Sequence, residues 1–538
     1  MRSVILGADG LTFRILHPLM ERGELPNFQK LTQEGCEAIL ESKYPPLTPP
    51  AWISLSTGVK PARHGVYDFW EYEEQEQEQQ ESGTPLKARV MTHRKDGKAI
   101  WNILSEYGKQ VLVINVPMTY PPEPINGYMV SGYMTPGSEV EFTYPPAFKE
   151  ELFEAVPDYL IDLENQDVFG GKKNEKGQRL IDTVLRMTEK RIELLKYMLK
   201  EKPWDFCYVV FVGPDRLQHS LWDEITSFEP AAIEYYRQLD SALGFLLEQL
   251  APDDTLFIVS DHGFQGASRL FDINEYLYSK KLLAMRSNEQ RKRANRLSAI
   301  KQALRKIGLL TLARKARKSL ARRGIPTGAQ HLSVYKPLLD ELDRERTLAY
   351  VPSHSGFPSG FANIFLSPKM SAEQIEELCA DLKRQVDPRT GKALVDAIYT
   401  AEVFGSGPFA PGEPHLLVLP NDGMTFRMTL GNKWLWDDAT NARDANKRFG
   451  VHFKDGVLYA YGGGIKHGYK APNAEVFDLV PTVLHSMGLP LPHAFDGRVL
   501  DELFVERTQE EQLATAEKQG GEGGSGLARR KLKKLQEV

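Results

Sequence analysis

Short apolar runs that end in polar or glycine-containing turns constrain the fold of this chain more than any other feature. Four such runs recur along the sequence: Ser3 to Ala8, Gln110 to Val116, Phe206 to Val212 and Thr255 to Ser260. Segments of helical period separate them, and one such segment, from about Pro230 to Leu250, leads into the last run. Alternating strands and helices are typical of a mainly parallel sheet covered by helices on both faces. The sequence therefore predicts an α/β fold whose ligands bind beyond the carboxyl ends of the strands.

The length of 538 residues exceeds what one ordinary core needs, so we expect one large sheet domain with an insertion. The stretch from Arg286 to Arg323 holds fourteen Lys and Arg against the single acid Glu289, for a local charge of +13. Its apolar residues fall on one helical face, which predicts basic amphipathic helices. The predicted division is a core at 1–275 and 346–507, a basic helical insertion at 276–345, and a linker with a basic C-terminal helix at 508–538.

Composition favours a protein of a reducing compartment. The formal net charge of −5 is small for this length, so charge alone indicates no partner. The three cysteines, Cys36, Cys207 and Cys379, are widely spaced and odd in number, which argues against a disulfide framework. The first apolar run reaches Gly7 and Asp9 too soon for a signal peptide, and no stretch approaches the roughly 20 apolar residues of a membrane-spanning helix. We therefore expect a cytoplasmic protein.

Aspartate and histidine side chains follow three of the four predicted strands. Asp9 comes after the first strand, Asp215 and His219 come after the third, and Asp261-His262 comes after the fourth. Parallel strands would bring these groups to one edge of the sheet, where carboxylates mixed with imidazoles suit zinc or manganese better than calcium. A lone aspartate at a strand end is more often a turn or cap residue. The prediction of a transition-metal site therefore depends on the three groups coming together.

Five motifs carry a resemblance to a known family. In chain order they are Gly7-Ala8-Asp9-Gly10, Thr48-Pro49-Pro50-Ala51-Trp52, Gly213-Pro214-Asp215 with His219, Ser260-Asp261-His262-Gly263, and Gly450-Val451-His452. This series resembles the metal and nucleophile motifs of the type I phosphodiesterase and nucleotide pyrophosphatase family of the alkaline phosphatase superfamily. The resemblance covers about Met1 to Leu503 apart from the basic insertion. It implies an alkaline-phosphatase-like sandwich and a metal-dependent hydrolase that acts on a small-molecule phosphoester.

The resemblance also implies two divalent metal ions, with zinc expected and manganese as the alternative. One ion would be held by Asp9, Asp261, His262 and the Thr48 oxygen. The other would be held by Asp215, His219 and His452. His467, in His467-Gly468-Tyr469, is a weaker rival of His452 for the last position.

Thr48 is the nucleophile that the resemblance implies, and a phospho-threonine is the implied intermediate. Two cations would stabilise the attacking and leaving oxygens of an in-line displacement. Pro49 and Pro50 suit the first turn of a helix, whose free N–H groups would face the phosphate. The alternative role of Thr48 is that of a simple helix cap.

The segment His64 to Phe69 departs from the family pattern. Nucleotide pyrophosphatases of this family commonly have an asparagine there that contacts a phosphate oxygen, and this segment has none. Losing one such donor typically costs about 10²–10³-fold in rate, so another group replaces it or the substrate differs. His64 itself is expected to be structural. The residues around Thr48 lack the C/S-x-P-x-R pattern of sulfatases, whereas a phosphotransferase resembling cofactor-independent phosphoglycerate mutase stays an alternative.

The basic insertion supports a second hypothesis of another class. Each Lys or Arg near an anionic lipid surface contributes about 1 kcal/mol to binding, so Arg286 to Arg323 would suit a peripheral membrane or nucleic-acid binding protein built on an inactive hydrolase core. Against this, no predicted metal ligand is missing from the sequence. A cap over the active site, with cations that attract phosphate substrates, is the favoured role of the insertion. No specific nucleic-acid partner is predicted, and the sequence does not indicate the oligomeric state.

Overall fold

The structure, a computed structural model, contains one large β-sheet and several small ones. It describes residues 1–73, 87–163, 176–286, 342–352, 359–412, 414–428, 430, 434–436 and 448–505. Within these ranges no helix combines the length and apolar character needed to cross a membrane. The predicted basic insertion lies largely outside the described residues, and the predicted tail at 508–538 lies wholly outside them. The division into core, insertion and tail therefore stays a prediction.

The described strands and helices alternate along much of the chain. The strands are β1 (Ser3–Ala8), β2 (Cys36–Glu41), β3 (Trp70–Glu73), β4 (Lys87–Val90), β5 (Val111–Ile114), β6 (Gly127–Val130), β7 (Thr143–Tyr144), β8 (Phe206–Phe211), β9 (Thr255–Val259), β10 (Gly263–Ala267), β11 (Arg269–Asp272), β12 (Ala349–Tyr350), β13 (Ala362–Leu366), β14 (Val395–Thr400), β15 (Leu416–Pro420), β16 (Met424–Arg427), β17 (Leu435–Trp436), β18 (Phe449–Phe453), β19 (Asp455–Gly462), β20 (Tyr469–Lys470) and β21 (Ala474–Glu475). The helices are α1 (Phe13–Glu21), α2 (Pro26–Glu34), α3 (Thr48–Thr57), α4 (Pro61–His64), α5 (Ile100–Glu106), α6 (Phe148–Ala155), α7 (Lys176–Glu201), α8 (Gly213–Thr226), α9 (Pro230–Gln249), α10 (Ile273–Ser279), α11 (Ala372–Arg384) and α12 (Leu479–Ser486).

The central sheet has the strand order β20-β2-β19-β9-β1-β8-β5-β6-β7, with β21 also paired to β2. Strands β9, β1, β8, β5 and β6 run parallel, whereas β19 runs antiparallel to both of its neighbours and β7 runs antiparallel to β6. All four strands predicted from apolar runs are present as β1, β5, β8 and β9, and the predicted helix near residues 230–250 is α9. The prediction of a mainly parallel sheet flanked by helices is confirmed.

Each face of the central sheet has its own apolar core. Alternate residues of a strand point to opposite faces, so Val4 and Leu6 of β1 belong to one core and Ile5 to the other. Helices α1, α2, α7, α8 and α9 contribute to the first core, and α3, α5 and α12 contribute to the second. Burial on both faces explains why these strands appear as unbroken apolar runs in the sequence.

A third apolar core lies outside the central sheet, between residues 271 and 435. It packs against a four-stranded sheet of order β12-β13-β15-β14 and a three-stranded sheet of order β16-β11-β17. Strand β18 pairs antiparallel with β10, which begins directly after His262. These small sheets bring residues from late in the chain to the edge where β1, β8 and β9 end.

Candidate metal centre

Three aspartates meet at the carboxyl edge of the central sheet, as the sequence predicts. Asp9, Asp215 and Asp261 follow β1, β8 and β9, which are neighbours in the sheet. The Asp9 N–H donates to Phe211 O at 2.9 Å, and the Asp215 N–H donates to Asp9 O at 3.0 Å. The Gly10 N–H donates to Asp261 Oδ1 at 3.1 Å. Backbone hydrogen bonds between the strand ends therefore fix the three carboxylates relative to one another.

The first cluster consists of Asp9, Asp261 and His262, and their potential ligand atoms all lie within 4.8 Å of one another. His262 Nε2 is 3.3 Å from Asp261 Oδ2 and 3.7 Å from Asp9 Oδ1. These three atoms are buried and have no hydrogen-bond partner among the described residues. Burying unpaired polar atoms is costly, and a divalent cation would satisfy all three at once. Two carboxylates and one imidazole are ligands that suit zinc or manganese.

Hydrogen bonds orient each ligand of the first cluster. Trp52 Nε1 donates to Asp9 Oδ2 at 3.0 Å, so Asp9 Oδ1 is left without a partner. In the same way, the Gly10 N–H donates to Asp261 Oδ1, so Asp261 Oδ2 is left without a partner. His262 Nδ1 is 3.1 Å from Gly263 O. A carbonyl oxygen only accepts, so Nδ1 carries the proton and Nε2 offers its lone pair. Such outer partners are the usual means by which proteins orient metal ligands.

The second cluster consists of Asp215, His219 and His452. Asp215 Oδ1 is 3.2 Å from His219 Nε2 and 3.1 Å from His452 Nε2, and the two Nε2 atoms are 3.0 Å apart. His219 Nδ1 lies 3.1 Å from Gly450 O, and His452 Nδ1 lies 3.1 Å from Pro46 O. Both Nδ1 atoms therefore donate to carbonyls, and in the neutral rings two Nε2 lone pairs face one carboxylate oxygen. A cation between them would convert this repulsion into coordination.

The two clusters are adjacent, because the rings of His262 and His452 stack with their centroids 3.7 Å apart. Burial raises the pKa of Asp9 and of Asp261 well above the ordinary carboxyl range, and a neighbouring carboxylate raises each one further. Burial acts in the same direction on Asp215, but His219 and His452 in their protonated forms, together with Arg216, outweigh it and hold the pKa of Asp215 well below that range. Burial lowers the pKa of His262 and of His452. Metal binding requires neutral imidazoles and ionised carboxylates, so a bound cation would replace the protons that the raised pKa values favour on Asp9 and Asp261.

Thr48 begins α3 and is buried, and residues on either side of it in the sequence form hydrogen bonds with both clusters. Trp52, one helical turn later, donates to Asp9, and Pro46, two residues before Thr48, accepts from His452. The helix cap is Leu47 and has no side-chain hydrogen bond, so the alternative that Thr48 is a simple cap is wrong. Pro49 and Pro50 occupy the first turn, as predicted.

The first turn of α3 offers fewer N–H groups than the sequence suggests. Pro49 and Pro50 have none, and the Ala51 N–H donates to Leu47 O at 3.1 Å. The Thr48 N–H has no acceptor among the described residues. It is therefore the one donor of this turn left for a phosphate oxygen in the described part of the chain.

The family of the chain is shown by comparison with family models. The model for type I phosphodiesterase / nucleotide pyrophosphatase matches residues 3–352. The chain belongs to this family. Membership makes the protein a phosphoester hydrolase of the phosphodiesterase and pyrophosphatase type. The matched range contains every predicted site residue except His452, which the structure brings in through β18.

Two solved structures match this chain at low sequence identity. The murine ectonucleotide pyrophosphatase / phosphodiesterase 5 in complex with AMP is 12% identical, with 94% of this chain and 100% of that chain covered and a TM-score of 0.48. The phosphonoacetate hydrolase of Sinorhizobium meliloti 1021 in complex with phosphonoacetate is 13% identical, with 91% and 95% covered and a TM-score of 0.52. The second likeness supports the predicted alkaline-phosphatase-like fold. No curated protein matches the chain.

The two other histidines that the sequence analysis considered, His64 and His467, lie outside the clusters. His64 is buried, and burial lowers its pKa to about 3. Its Nδ1 accepts from Val66 N at 3.3 Å, so its protonated Nε2 donates to Ser54 Oγ at 3.1 Å. It is a structural group that joins α3 to α4. His467 is exposed near Tyr469, which pairs with the start of β2 at the opposite edge of the sheet, so it cannot replace His452.

Sequence reasoning missed Arg216. Its Nη1 donates to Asp215 Oδ2 at 2.7 Å and its Nη2 donates to Asp162 Oδ2 at 2.8 Å, while its guanidinium lies 4.3 Å from the Tyr133 ring centroid. Arg216 thus forms a hydrogen bond with Asp215 Oδ2, the carboxylate oxygen that does not face the histidines. Its position next to Asp215 in the sequence was the only available signal.

A cavity of about 920 Å³ opens beside the second cluster. Its lining includes His219, His452 and Leu47, the residue directly before Thr48. The segment after His64-Gly65, where the family asparagine is missing, forms another part of the lining. The cavity therefore adjoins both the second cluster and the start of α3.

Proposed function

We propose that the protein is a two-metal phosphoester hydrolase in which Thr48 attacks the phosphorus and forms a phospho-threonine intermediate. Asp9, Asp261 and His262 would hold one ion, and Asp215, His219 and His452 would hold the other. The observation that carries the proposal is the set of buried ligand atoms without partners in the first cluster, beside facing Nε2 lone pairs in the second. Zinc is the proposed metal, with manganese as the alternative.

Two divalent ions would lower the pKa of a hydroxyl and stabilise the charges of an in-line phosphoryl displacement. The protein's own residues hold the segment around Thr48 in a fixed orientation relative to the proposed metal ligands. Trp52 fixes α3 against Asp9, and Pro46 fixes the preceding segment against His452. Thr48 supplies the attacking oxygen, and its N–H supplies a donor for a phosphate oxygen. The organic group would leave with its bridging oxygen and take up a proton, and water would then hydrolyse the phospho-threonine and restore the Thr48 hydroxyl.

The test combines metal analysis with hydrolysis assays. Bound metal is quantified by mass spectrometry, and hydrolysis of bis-p-nitrophenyl phosphate and p-nitrophenyl phosphate is compared for wild type, Thr48→Ala and Thr48→Ser. We expect about two ions per chain. Thr48→Ala should lose at least about 10³-fold in kcat, because it has no nucleophile, and Thr48→Ser should retain measurable turnover. Thr57→Ala, at the far end of the same helix, is the matched control and should keep its activity.

The ratio of the two substrates decides between a diesterase and a monoesterase. Diester cleavage that depends on Thr48 supports the phosphodiesterase assignment, whereas faster monoester cleavage favours a phosphatase. Full activity of Thr48→Ala would reject the nucleophile, and a metal-free, inactive protein would reject the two-metal proposal. A phosphotransferase would instead move the phosphoryl group to an added alcohol.

Location and membrane contact are further proposals. We propose a cytoplasmic location, which the three free cysteines support. The role of Arg286 to Arg323 as a cap or as a lipid-binding surface falls on residues outside the described ranges, except Arg286 itself. Sedimentation with anionic liposomes, with and without this segment, separates the two roles, because only lipid binding predicts loss of sedimentation on deletion.

A further inference from the structure

We propose that Tyr133 is a further catalytic residue, whose hydroxyl donates a hydrogen bond to a nonbridging oxygen of the phosphoryl group. The inference rests on the proposed function, because it takes that group to lie at the two clusters. It goes further by assigning the donor that acts in place of the asparagine that is missing from the segment His64 to Phe69.

Tyr133 lies between the segment His64 to Phe69 and the second cluster. Its ring meets the ring of Phe69 edge to face, with the centroids 5.8 Å apart. Its face is covered by the guanidinium of Arg216, which lies 4.3 Å from the ring centroid and donates to Asp215 Oδ2 at 2.7 Å. Tyr133 therefore joins the segment that lacks the family asparagine to a proposed metal ligand.

The loop that carries Tyr133 is also held against the helix that begins with Thr48. The Met118 N–H donates to Tyr133 O at 3.1 Å. Met118 belongs to an apolar cluster with Ile53 of α3, and Met134 packs against the same cluster. Contacts on either side of Tyr133 thus lead to the helix of the proposed nucleophile and to a ligand of the second cluster.

Close backbone packing fixes the position of this loop. Gly132 directly precedes Tyr133, and a Cβ at Gly132 would lie 2.3 Å from Asn115 O. Met118 and Met134 have left-handed φ angles of 63° and 81°, which residues with a side chain rarely adopt. Such strained residues persist only where the surrounding structure fixes them, and they cluster at functional sites. The fold therefore holds Tyr133 in one position, as a preorganised donor requires.

The hydroxyl of Tyr133 is free to serve as a donor. Tyr133 is half-buried, and its hydroxyl has no hydrogen-bond partner among the described residues and is not enclosed by them. Burial raises the pKa of Tyr133, and Arg216 opposes this rise. The carboxylates of Asp162, Asp215 and Asp9 add to it, so one carboxylate from each cluster lies near enough to act on this hydroxyl. A tyrosine has an ordinary pKa of about 10, and the hydroxyl therefore keeps its proton at neutral pH.

The chemistry of phosphoryl transfer gives such a donor its role. The nonbridging oxygens carry negative charge during an in-line displacement, and a fixed donor beside them stabilises the transition state. The Tyr133 hydroxyl would donate to one of these oxygens and keep its proton, while the Thr48 N–H would donate to another. The guanidinium of Arg216 is already paired with Asp215 and Asp162, so Tyr133 supplies the donor that Arg216 does not.

Tyr133→Phe tests the proposal, because it removes the hydroxyl and keeps the ring that contacts Phe69 and Arg216. Tyr128→Phe is the matched control. Tyr128 is also half-buried, with Lys202 4.6 Å from its ring centroid and an aromatic neighbour at 5.0 Å. It lies near the start of β6, whereas Tyr133 follows the end of that strand at the carboxyl edge of the sheet.

Equilibrium binding to the metal-loaded proteins measures the contact without turnover. Calorimetry gives the affinity for orthovanadate, which mimics the transition state of phosphoryl transfer, and mass spectrometry gives the number of bound ions. We expect Tyr133→Phe to bind orthovanadate about 10–100-fold more weakly than wild type, as for loss of one hydrogen bond to a charged group. The kcat/KM for p-nitrophenyl phosphate should fall by a similar factor. Both ions should stay bound, and Tyr128→Phe should match wild type in every measurement.

The outcomes separate this inference from the proposed function. Unchanged orthovanadate affinity in Tyr133→Phe would overturn the inference even if Thr48-dependent hydrolysis and both ions are intact. Loss of a bound ion from Tyr133→Phe would also overturn it, because Tyr133 would then act on the metal site through Arg216 rather than on the phosphoryl group. Full hydrolysis by Thr48→Ala together with weakened orthovanadate binding in Tyr133→Phe would reject the proposed nucleophile and support the Tyr133 contact.

Discussion

At the scale of single residues, the proposed metal centre depends on side chains that form a hydrogen bond with one carboxylate oxygen of a proposed ligand and leave its other oxygen without a partner. Arg216 does this for Asp215, and Asp162 in turn holds Arg216. Because Arg216 directs Asp215 Oδ1 toward the histidines, we infer that it is a positioning residue for the second cluster.

Replacing Arg216 by methionine tests this role. The change keeps much of the side-chain volume but frees Asp215 Oδ2, and loss of such an outer partner typically weakens metal binding about 10–100-fold. Competition with a graded chelator, followed by mass spectrometry, measures the affinity of each bound ion. Arg498→Met is the matched control, because Arg498 pairs with Glu502 and contacts no cluster residue among the described residues. Unchanged affinity of the more weakly bound ion in Arg216→Met would contradict the assignment.

Residue patterns in the sequence predict the proposed metal ligands but not the residues that form hydrogen bonds with them. Asp9, Asp215 and Asp261 could be found because each follows a predicted parallel strand, and parallel strands end at the same sheet edge. The hydrogen bond from Arg216 to Asp162 joins residues 54 positions apart in sequence, and β13, which lines the cavity, pairs with β15 across a similar separation. No local period marks such contacts, so the outer partners and the cavity wall were missed.

At the scale of elements, the second cluster depends on the close approach of β18 to α8. Gly450 begins the Gly-Val-His segment of β18, and a Cβ there would lie 2.3 Å from Gln218 O and 2.7 Å from the Gln218 carbonyl carbon. Backbone atoms cannot rotate away as a flexible side chain does. The absence of a side chain at Gly450 therefore lets His452 on β18 meet His219 on α8.

Gly450→Ala should move β18 away from α8 and separate the two histidines. We expect a loss of stability of about 1–3 kcal/mol, as for other overpacked sites, and loss of one of the two bound ions. Urea unfolding gives the stability, and mass spectrometry of the native protein gives the metal count. Gly412→Ala is the control, because no atom lies within 4 Å of its added Cβ. Two tightly bound ions in Gly450→Ala would show that the close approach is dispensable.

Apolar runs in the sequence predicted those strands that are buried on both faces of the sheet, but they did not predict the other strands. Strands β1, β5, β8 and β9 were found for that reason. Strand β3 shows the opposite case: two of its four residues are glutamates, so no apolar run marks it in the sequence, and it forms by antiparallel pairing with β4. The small sheets between residues 269 and 436 likewise form by pairing of short strands whose partners are distant in sequence.

At the scale of the whole molecule, the carboxyl edge of the sheet buries the carboxyl groups of Asp9 and Asp261, and neither forms an ion pair with a Lys or Arg among the described residues. Asp9 and Asp261 are fully buried, and burial followed by mutual proximity raises the pKa of Asp261. Burial of these carboxyl groups therefore lowers the stability of the metal-free protein, and bound cations would offset this loss. This arrangement predicts that a single substitution will change the stability of the metal-free and metal-loaded protein in opposite directions.

Asp9→Asn is that substitution. In the chelator-treated protein it removes a buried carboxylate, so the melting temperature should rise by about 2 °C or more relative to wild type. In excess zinc, wild type should gain about 2.7 kcal/mol from each site whose Kd is exceeded 100-fold by the free ion, whereas Asp9→Asn should lose most of the gain from the first cluster. Thermal unfolding with and without zinc measures both effects. Asp422→Asn, at an exposed acid, should change neither. A lower melting temperature of Asp9→Asn in both states would mean that Asp9 stabilises the fold through Trp52 rather than serving a bound cation.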